Sequence, residues 1–228
     1  MSQTGRNGNN GPGVPSALCV IFDLDGTLVD SERLNNQAFL DLLPGLGLAV
    51  DDLIRRYGGR QLAAIMADLE RQLGHALPDG FEAAYRQRVA TLLDTRLQAT
   101  PGTADLLRQH PFARCVASSA PLDKIGRALR ASGLAPYFDA QHLYSSYDIG
   151  RWKPDPGIFL HAARAMGRAP RDCLVIEDST AGLAAADAAG MAALHYVPPN
   201  SPVTPSPRHP VLREMAALPQ CAARLARA

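Results

Sequence analysis

Four short runs of apolar residues in this chain have the length and composition of buried β-strands. The runs are Leu18 to Phe22, Ala113 to Ala117, a shorter stretch around His142 to Tyr144, and Cys173 to Ile176. Stretches with helical spacing accompany them, at residues 122–132, 154–167 and 180–190. Strands that alternate with helices form parallel sheets covered on both faces. The pattern therefore predicts an α/β protein built on a Rossmann-like parallel sheet.

Residues 32–98 show a different pattern, with helical periodicity throughout and no credible strand. We therefore predict an all-α helical cap domain over residues 32–98, inserted into a core domain made of residues 16–31 and 99–228. Thr100 and Pro101 are expected to open the first helix after this insertion. Because the insertion directly follows the first strand, it is expected to cover the end of the sheet as a lid.

The two ends of the chain are predicted to be less regular. Residues 1–15 are polar and rich in Gly and Asn, which predicts a disordered tail without a secretory signal. Residues 197–210 are rich in proline and are expected to run irregularly over the surface. A short helix is predicted after them, over residues 211–228.

Composition excludes several classes of function. The 228 residues carry a net charge of +1, with 46% hydrophobic and 20% charged residues, as in ordinary globular proteins. A net charge this small creates no long-range positive potential that would attract nucleic acid. No apolar run is long enough to span a membrane. Four widely spaced cysteines show no metal-binding spacing, which predicts reduced thiols and a cytoplasmic location. We expect a monomer or weak dimer.

The most informative segment is IFDLDGTLVD, at residues 21–30. Asp23 and Asp25 directly follow the first predicted strand, and their spacing of two projects both side chains to one side of an extended backbone. Gly26 then permits a turn. Two like charges held together are costly, so either a cation binds there or one carboxylate holds a proton. Both arrangements are typical of catalytic sites.

Polar side chains also follow the other predicted strands. They are Ser118 and Ser119 after the second strand, Lys153 after the third, and Glu177 and Asp178 after the fourth. Ligands of parallel sheets bind beyond the carboxyl ends of the strands, so these residues are expected to share one site with Asp23 and Asp25.

The combined side chains suit phosphoryl transfer. Several carboxylates around one point favour Mg²⁺, and a lysine with a serine hydroxyl can hold a phosphoryl group. Asp23, ionised at neutral pH, can attack phosphorus without a base, and its acyl phosphate is easily hydrolysed. Asp25 can protonate the leaving alkoxide and then take a proton from the attacking water.

Each of these residues also has a plain structural explanation. Lys153 can be a surface turn residue, and Ser118 and Ser119 can cap the helix that follows them. Glu177 and Asp178 can simply complement the dipole of the next helix. Their joint occurrence at strand ends favours the shared site, because the structural explanations require several separate coincidences.

In the same order along the chain, FDLDGTLVDS, ASSA, RWKPDP and VIEDS resemble the four motifs of the haloacid dehalogenase superfamily. The resemblance covers about residues 18–200 and implies that family's fold, with a helical cap between the first two motifs. It implies Asp23 as nucleophile, Asp25 as general acid and base, and four phosphate-binding residues: Leu24, Ser118, Ser119 and Lys153. It also implies that Mg²⁺ is bound by Asp23, the backbone carbonyl of Asp25 and Asp178, with Glu177 holding a metal-bound water.

Within the superfamily, single residues separate the branches. Dehalogenases lack the second aspartate, here Asp25, and phosphonatases need a cap lysine, which this chain does not have. Sugar phosphomutases carry a histidine where this chain has Asn35, which favours a hydrolase over a mutase. YSSYDIGRWKPDP and DSTAGLAAADAAGM resemble the bacterial 6-phosphogluconate phosphatase type. A phosphomutase and a non-catalytic binder of phosphorylated ligands remain the alternatives.

The cap is expected to choose the substrate, a small phosphorylated metabolite such as a sugar phosphate or a phosphorylated sugar acid. Arg60 lies in YGGRQL, between two predicted cap helices, where the neighbouring Gly59 allows close approach to a ligand. A guanidinium suits bidentate binding of a carboxylate. We therefore predict that Gly59 and Arg60 contribute to specificity; a solvated loop arginine is the alternative.

Overall fold

The computed structural model describes residues 14, 17–58, 60 and 62–225. Six parallel strands form one sheet in the order β3-β2-β1-β4-β5-β6. They are β1 (Cys19–Phe22), β2 (Ala113–Ser118), β3 (Leu143–Ser145), β4 (Cys173–Glu177), β5 (Ala192–Tyr196) and β6 (Val211–Leu212). The chain builds outward from β1 to β3 and then returns to the other side of β1 for β4. This reversal opens a crevice at the carboxyl ends of β1 and β4, where ligands of such sheets bind.

Ten α-helices accompany the sheet in the described residues. They are α1 (Ser31–Leu42), α2 (Val50–Tyr57), α3 (Leu62–Leu73), α4 (Phe81–Arg96), α5 (Thr103–Gln109), α6 (Leu122–Ala131), α7 (Ser146–Ile149), α8 (Gly157–Ala165), α9 (Thr180–Ala188) and α10 (Leu218–Leu225). The central strands β1 and β4 are buried along their whole length, as expected for apolar strands covered on both faces.

Helices α1 to α4 all lie between β1 and β2. Phe39 of α1 stacks on Tyr85 of α4 with ring centroids 4.2 Å apart, so apolar contacts join the first and last of these helices. The chain leaves and re-enters the sheet region at one place. There Asp30 N–H donates to Gln98 O at 3.2 Å, and Thr100 N–H donates to Leu28 O at 2.9 Å. The division into a cap (32–98) and a core stays a prediction.

The sequence patterns located most of the sheet, and the α/β fold is confirmed. All four predicted strands are present, each within about two residues of its predicted bounds. Residues 197–210 contain no helix or strand, as predicted. The thiols of Cys19, Cys115, Cys173 and Cys221 are all free.

Three elements differ from the predictions. Strand β5 was missed because AALHY lacks the β-branched residues that identify buried strands. The predicted helix over 211–228 was wrong at its start, where Val211–Leu212 pairs with β5 and helix α10 begins only at Leu218. Helix α5 begins at Thr103, after a turn at Gly102 with φ +81°, and not at Thr100. The predicted disorder of residues 1–15 falls almost wholly outside the described residues.

Candidate active site

Three carboxylates meet at the crevice between β1 and β4. Asp23 follows β1, Glu177 ends β4 and Asp178 follows it; one oxygen from each lies within 4.8 Å of the others. Glu177 is 1% exposed and Asp23 is 6% exposed. The sheet places them together because β1 and β4 are neighbours in register, with Phe22 opposite Ile176.

One ammonium group lies inside this carboxylate cluster. Lys153 Nζ donates to Asp23 Oδ1 at 2.5 Å and to Glu177 Oε2 at 2.7 Å, and its side chain is 6% exposed. Burial alone would lower the pKa of Lys153, but the charges of Asp23 and Glu177 outweigh it and raise the pKa above its usual value. Lys153 is therefore a buried cation of the site, and its explanation as a surface turn residue is wrong.

The cluster carries an excess of negative charge. Burial and the nearby Glu177 carboxylate raise the pKa of Asp23 to about 7, against the lowering effect of Lys153. Burial, with the charge of Glu177, also raises the pKa of Asp178 well above its usual value. Three carboxylates share one ammonium, so a divalent cation with oxygen ligands fits the remaining charge.

These shifts predict how pH affects the metal-free protein. A carboxylate whose folded pKa is raised holds a proton that the unfolded chain has released, so stability falls as pH rises between the two values. For Asp23 this window runs from 3.8 to about 7. We expect Asp23→Asn to gain in Tm over the wild type as pH rises through it, measured by thermal unfolding in EDTA. A constant difference in Tm would contradict the prediction, and excess Mg²⁺ should shrink the gain.

Glu177 is fixed from its other side by the start of α9. Its Oε1 accepts hydrogen bonds from Ser179 N at 3.1 Å and Ser179 Oγ at 2.7 Å, while Ser179 Oγ also accepts from Gly182 N at 3.1 Å. A Cβ at Gly182 would lie 2.0 Å from the Glu177 carboxyl carbon. The close approach of helix and carboxylate thus requires glycine at this position.

Gly182→Ala tests that packing. Alanine normally stabilises a helix interior relative to glycine by about 0.5–1 kcal/mol, but here the methyl group displaces the buried Glu177 from Lys153. We expect a loss of about 1–3 kcal/mol in the free energy of unfolding, the usual cost of overpacking, measured by urea denaturation. Gly126→Ala in α6 is the control, because its Cβ would lie 3.2 Å from the flexible end of Arg130. Equal effects of the two variants would contradict the argument.

The serines after β2 reach the same cavity. Ser118 is 1% exposed and its Oγ accepts a hydrogen bond from Ala120 N at 3.1 Å, whereas Ser119 is exposed at the cavity wall. Neither serine caps α6, whose N-cap is Pro121 without a side-chain hydrogen bond. The capping explanation is therefore wrong. Leu24 is fully buried, so its side chain cannot contribute to a phosphate site and only its backbone could.

Asp25 lies outside the three-carboxylate group. Its carboxylate accepts a hydrogen bond from Ser31 Oγ. Lys124 Nζ donates to both carboxylate oxygens, each at 3.1 Å. Asp25 and Lys124 both line the cavity beside the cluster. The side chain of Asp25 therefore points toward α1 and α6 and not toward Asp23.

Two residues of the site were missed in the sequence. Lys124 is one of only two lysines among the 23 Lys and Arg residues, and this rarity is a compositional signal that could have identified it. Each of the two lysines contacts one of the paired aspartates. Glu32, in the first turn of α1, also lines the cavity, and burial together with Asp25 raises its pKa to about 7. No motif distinguished Glu32 from an ordinary helix-start carboxylate.

The site opens into a cavity of about 790 Å³ between the strand ends and helices α1 to α4. Asn35 and Arg60 line it, and the Arg60 guanidinium lies 5.7 Å from the centre of the Tyr57 ring. The exposed rings of Tyr147 and Trp152 pack edge to face at its wall, 5.5 Å apart. Gly59, the other predicted specificity residue, lies outside the described residues.

Comparison with known proteins places the chain in a family. The sequence model of the haloacid dehalogenase-like hydrolase family matches residues 18–190 of this chain. The chain is 34% identical to the 6-phosphogluconate phosphatase of Escherichia coli, over 88% of this chain and 92% of that one, and 31% identical to E. coli hexitol phosphatase B, over 76% and 81%. A haloacid dehalogenase-like protein of unknown function from Agrobacterium tumefaciens superposes with a TM-score of 0.82 at 31% identity, covering 91% of this chain and 98% of that one. The chain therefore belongs to the haloacid dehalogenase-like hydrolases.

None of the helices in the described ranges combines the length and hydropathy needed to cross a bilayer.

Proposed function

We propose that this hydrolase is a Mg²⁺-dependent phosphomonoesterase that acts on small sugar phosphates or phosphorylated sugar acids through an aspartyl-phosphate intermediate. The observation that carries the proposal is the position of Asp23, which lies at a cavity beside Lys153 and within a cluster of carboxylates. A phosphate dianion in that cavity would meet the ammonium group and the serine hydroxyls, and a divalent cation held by the carboxylates would offset its charge.

Each residue then has a role in two displacement steps. Asp23 attacks phosphorus as its P–O ester bond breaks, and Asp25 gives a proton to the leaving alkoxide. Water next attacks the aspartyl phosphate, Asp25 takes its proton, and the Asp23 carboxylate leaves with release of inorganic phosphate. Ser118, Ser119, Lys153 and the backbone at Leu24 hold the phosphoryl oxygens.

The donor set suits Mg²⁺, a hard cation that takes oxygen ligands. Asp23, Asp178 and the backbone carbonyl of Asp25 would bind it, with Glu177 holding a coordinated water. When bound, the ion neutralises charge on the phosphoryl group. The separation of the Asp25 side chain from the cluster supports this division of labour, because that carboxylate lies outside the group of metal-binding carboxylates and lines the cavity beside it.

Hydrolysis is favoured over phosphomutase activity. Asn35 lines the cavity where a mutase of this family carries a histidine, and an amide side chain does not titrate near neutral pH and so cannot serve as a general acid or base. The next amide, Asn36, donates to Glu32 O at 2.9 Å within α1 and is occupied structurally. A non-catalytic binder is disfavoured because Asp23, Asp25 and Lys153 are all present.

The substrate preference rests on Arg60. Within the described ranges no carboxylate pairs with Arg60, whereas the nearby Arg56 pairs with Asp68 at 2.8 Å and the cavity residue Arg86 pairs with Glu82 at 2.6 Å. Arg60 therefore remains available to an anionic group at the far end of a substrate. The E. coli relative is a 6-phosphogluconate phosphatase, and 6-phosphogluconate carries such a carboxylate.

Phosphate release tests the proposal directly. The purified protein is assayed with Mg²⁺ against sugar phosphates, phosphorylated sugar acids and nucleotides. We expect release that is highest for a phosphorylated sugar acid or a sugar phosphate and that is abolished by EDTA. Failure to release phosphate from any compound, or interconversion of sugar phosphates without release, would overturn it. A cytoplasmic location and a monomeric or weakly dimeric state remain predictions.

Arg60→Ala tests the assigned preference. We expect the KM for 6-phosphogluconate to rise about 10-fold, as for the loss of one charge-assisted contact of about 1.5 kcal/mol. The KM for glucose 6-phosphate, which lacks a carboxylate, should not change. Arg56→Ala is the matched control, because Arg56 is already paired with Asp68. An Arg60→Ala enzyme with equal changes for both substrates would contradict the assignment.

A further inference from the structure

His195, near the carboxyl end of β5, is fully buried and contacts the backbone of Asp178, a residue of the candidate metal site. It lies opposite Glu177 in the register of β4 and β5. Its Nδ1 is 2.9 Å from Ser206 N, and its Nε2 is 2.9 Å from the backbone oxygen of Asp178. Neither the catalytic steps nor the sequence motifs involve this histidine.

These two contacts determine the form of the ring. A backbone N–H can only donate, so Nδ1 must be the acceptor toward Ser206. A backbone carbonyl can only accept, so Nε2 must carry the hydrogen that is donated to Asp178. His195 is therefore the neutral Nε2–H tautomer. Burial also lowers its pKa, in agreement with a neutral ring.

The Ser206 side of this contact is itself anchored. Ser206 Oγ lies 2.9 Å from His209 Nδ1, and His209 Nε2 lies 3.0 Å from Asp187 Oδ1 on α9. The irregular segment 197–210 is thus tied to the helix that follows Asp178. The peptide N–H of Ser206 is held in place to orient the imidazole ring.

The front of Asp178 is restrained as well. Thr27 Oγ1 donates to Asp178 Oδ1 at 3.3 Å, and a Cβ at Gly26 would lie 2.2 Å from Oδ2. The carboxylate is held by the turn after β1, while the carbonyl of the same residue is held by His195. Both ends of Asp178 are therefore fixed relative to Asp23.

We propose that His195 is a positioning residue for the divalent cation: its Nε2–H holds the Asp178 backbone so that the carboxylate points at the cluster. The proposal rests on the proposed function, in which Asp178 binds Mg²⁺. It differs from a purely structural role in that the donor at Nε2, and not the volume of the ring, decides metal affinity. Partners that orient metal ligands typically change metal affinity by about 10–100-fold when removed.

Two substitutions separate the ring nitrogens. His195→Asn retains an acceptor near the Nδ1 position and loses the donor to Asp178, whereas His195→Gln retains a donor near the Nε2 position and loses the acceptor. Both remove the ring from a buried site, so both should lower the metal-free Tm. Mg²⁺ binding, measured by isothermal titration calorimetry, should weaken about 10-fold in the Asn variant and stay close to wild type in the Gln variant.

Equal weakening in both variants, or no weakening in the Asn variant, would overturn the proposal. If neither variant folds, the wild-type protein decides it through the ¹⁵N chemical shifts of its imidazoles. A protonated Nε2 and a bare Nδ1 are expected for His195, and the opposite tautomer would refute the geometry. Calorimetry reports metal binding without turnover, so failure here is distinguishable from the absence of phosphate release that would overturn the proposed function.

Discussion

Asp23→Asn is expected to lower phosphate release by about 10⁴-fold or more, the scale seen when a catalytic nucleophile is removed. An amide oxygen beside Lys153 is not a nucleophile toward phosphorus, so no aspartyl phosphate forms. The fold should survive, because the substitution removes one negative charge from a cluster of three carboxylates that contains a single ammonium group. Steady-state phosphate release with Mg²⁺ measures the loss, and thermal unfolding in EDTA checks the fold.

Asp123→Asn is the matched control for that experiment. Asp123 is an exposed aspartate that lines the cavity but lies outside the carboxylate cluster. We expect this variant to keep nearly all of the wild-type activity. An Asp23→Asn enzyme within about 10-fold of the wild-type rate would rule out Asp23 as the nucleophile, since a loss that small is within what positioning effects alone produce.

Lys153→Met is expected to produce the largest loss of stability. It leaves the carboxylates of Asp23 and Glu177 buried without their ammonium partner, and removing one member of a buried ion pair typically costs about 3–5 kcal/mol. Mg²⁺ should restore part of this loss, because it supplies positive charge to the same carboxylates. Urea denaturation in EDTA and in excess Mg²⁺ measures both effects, and phosphate release should fall by at least about 10³-fold.

The chain's other lysine provides the control. Lys124→Met removes a contact of 3.1 Å to Asp25 in which both side chains are about one quarter exposed. Solvent screens such a pair, so we expect a loss below about 1 kcal/mol in the free energy of unfolding. If Lys153→Met loses no more stability than Lys124→Met, the buried ammonium is not what balances the carboxylate cluster.

The sheet shows where sequence patterns succeed and where they fail. Strand β1 is a continuous apolar run, and β4 is one up to its last residue, Glu177, as expected for strands that are buried on both faces. Strand β2 contains Arg114 but was still recognised from its apolar second half. Strand β5 has the same environment but is built from alanine, leucine, histidine and tyrosine. Its pairing with β4, and not its propensity, makes it a strand. Strand β6 pairs through only two residues, too few for any period to be visible.

The candidate site divides in the same way. Some site residues could be predicted because polar side chains that follow buried apolar strands are costly unless they form a common ligand site. These residues are Asp23, Ser118, Lys153, Glu177 and Asp178. Lys124, Glu32 and His195 carry no such signal of position in the sequence. Glu32 and His195 look ordinary on their helix and strand, and only the rarity of lysine in the chain marks Lys124. Lys124 and His195 reach the site through contacts with residues distant along the chain, and Glu32 through its burial beside Asp25.

The sequence by itself determined the α/β class, the edge of the sheet that carries the site and the type of chemistry. These depend on local properties: the length of apolar runs, the spacing of two aspartates and the residue types at strand ends. Only the tertiary structure decided which charges are paired, that Lys153 lies between Asp23 and Glu177, and that Asp25 turns away toward Lys124. Charge pairing depends on distances of a few ångströms between segments far apart in the chain, and no local pattern specifies such distances.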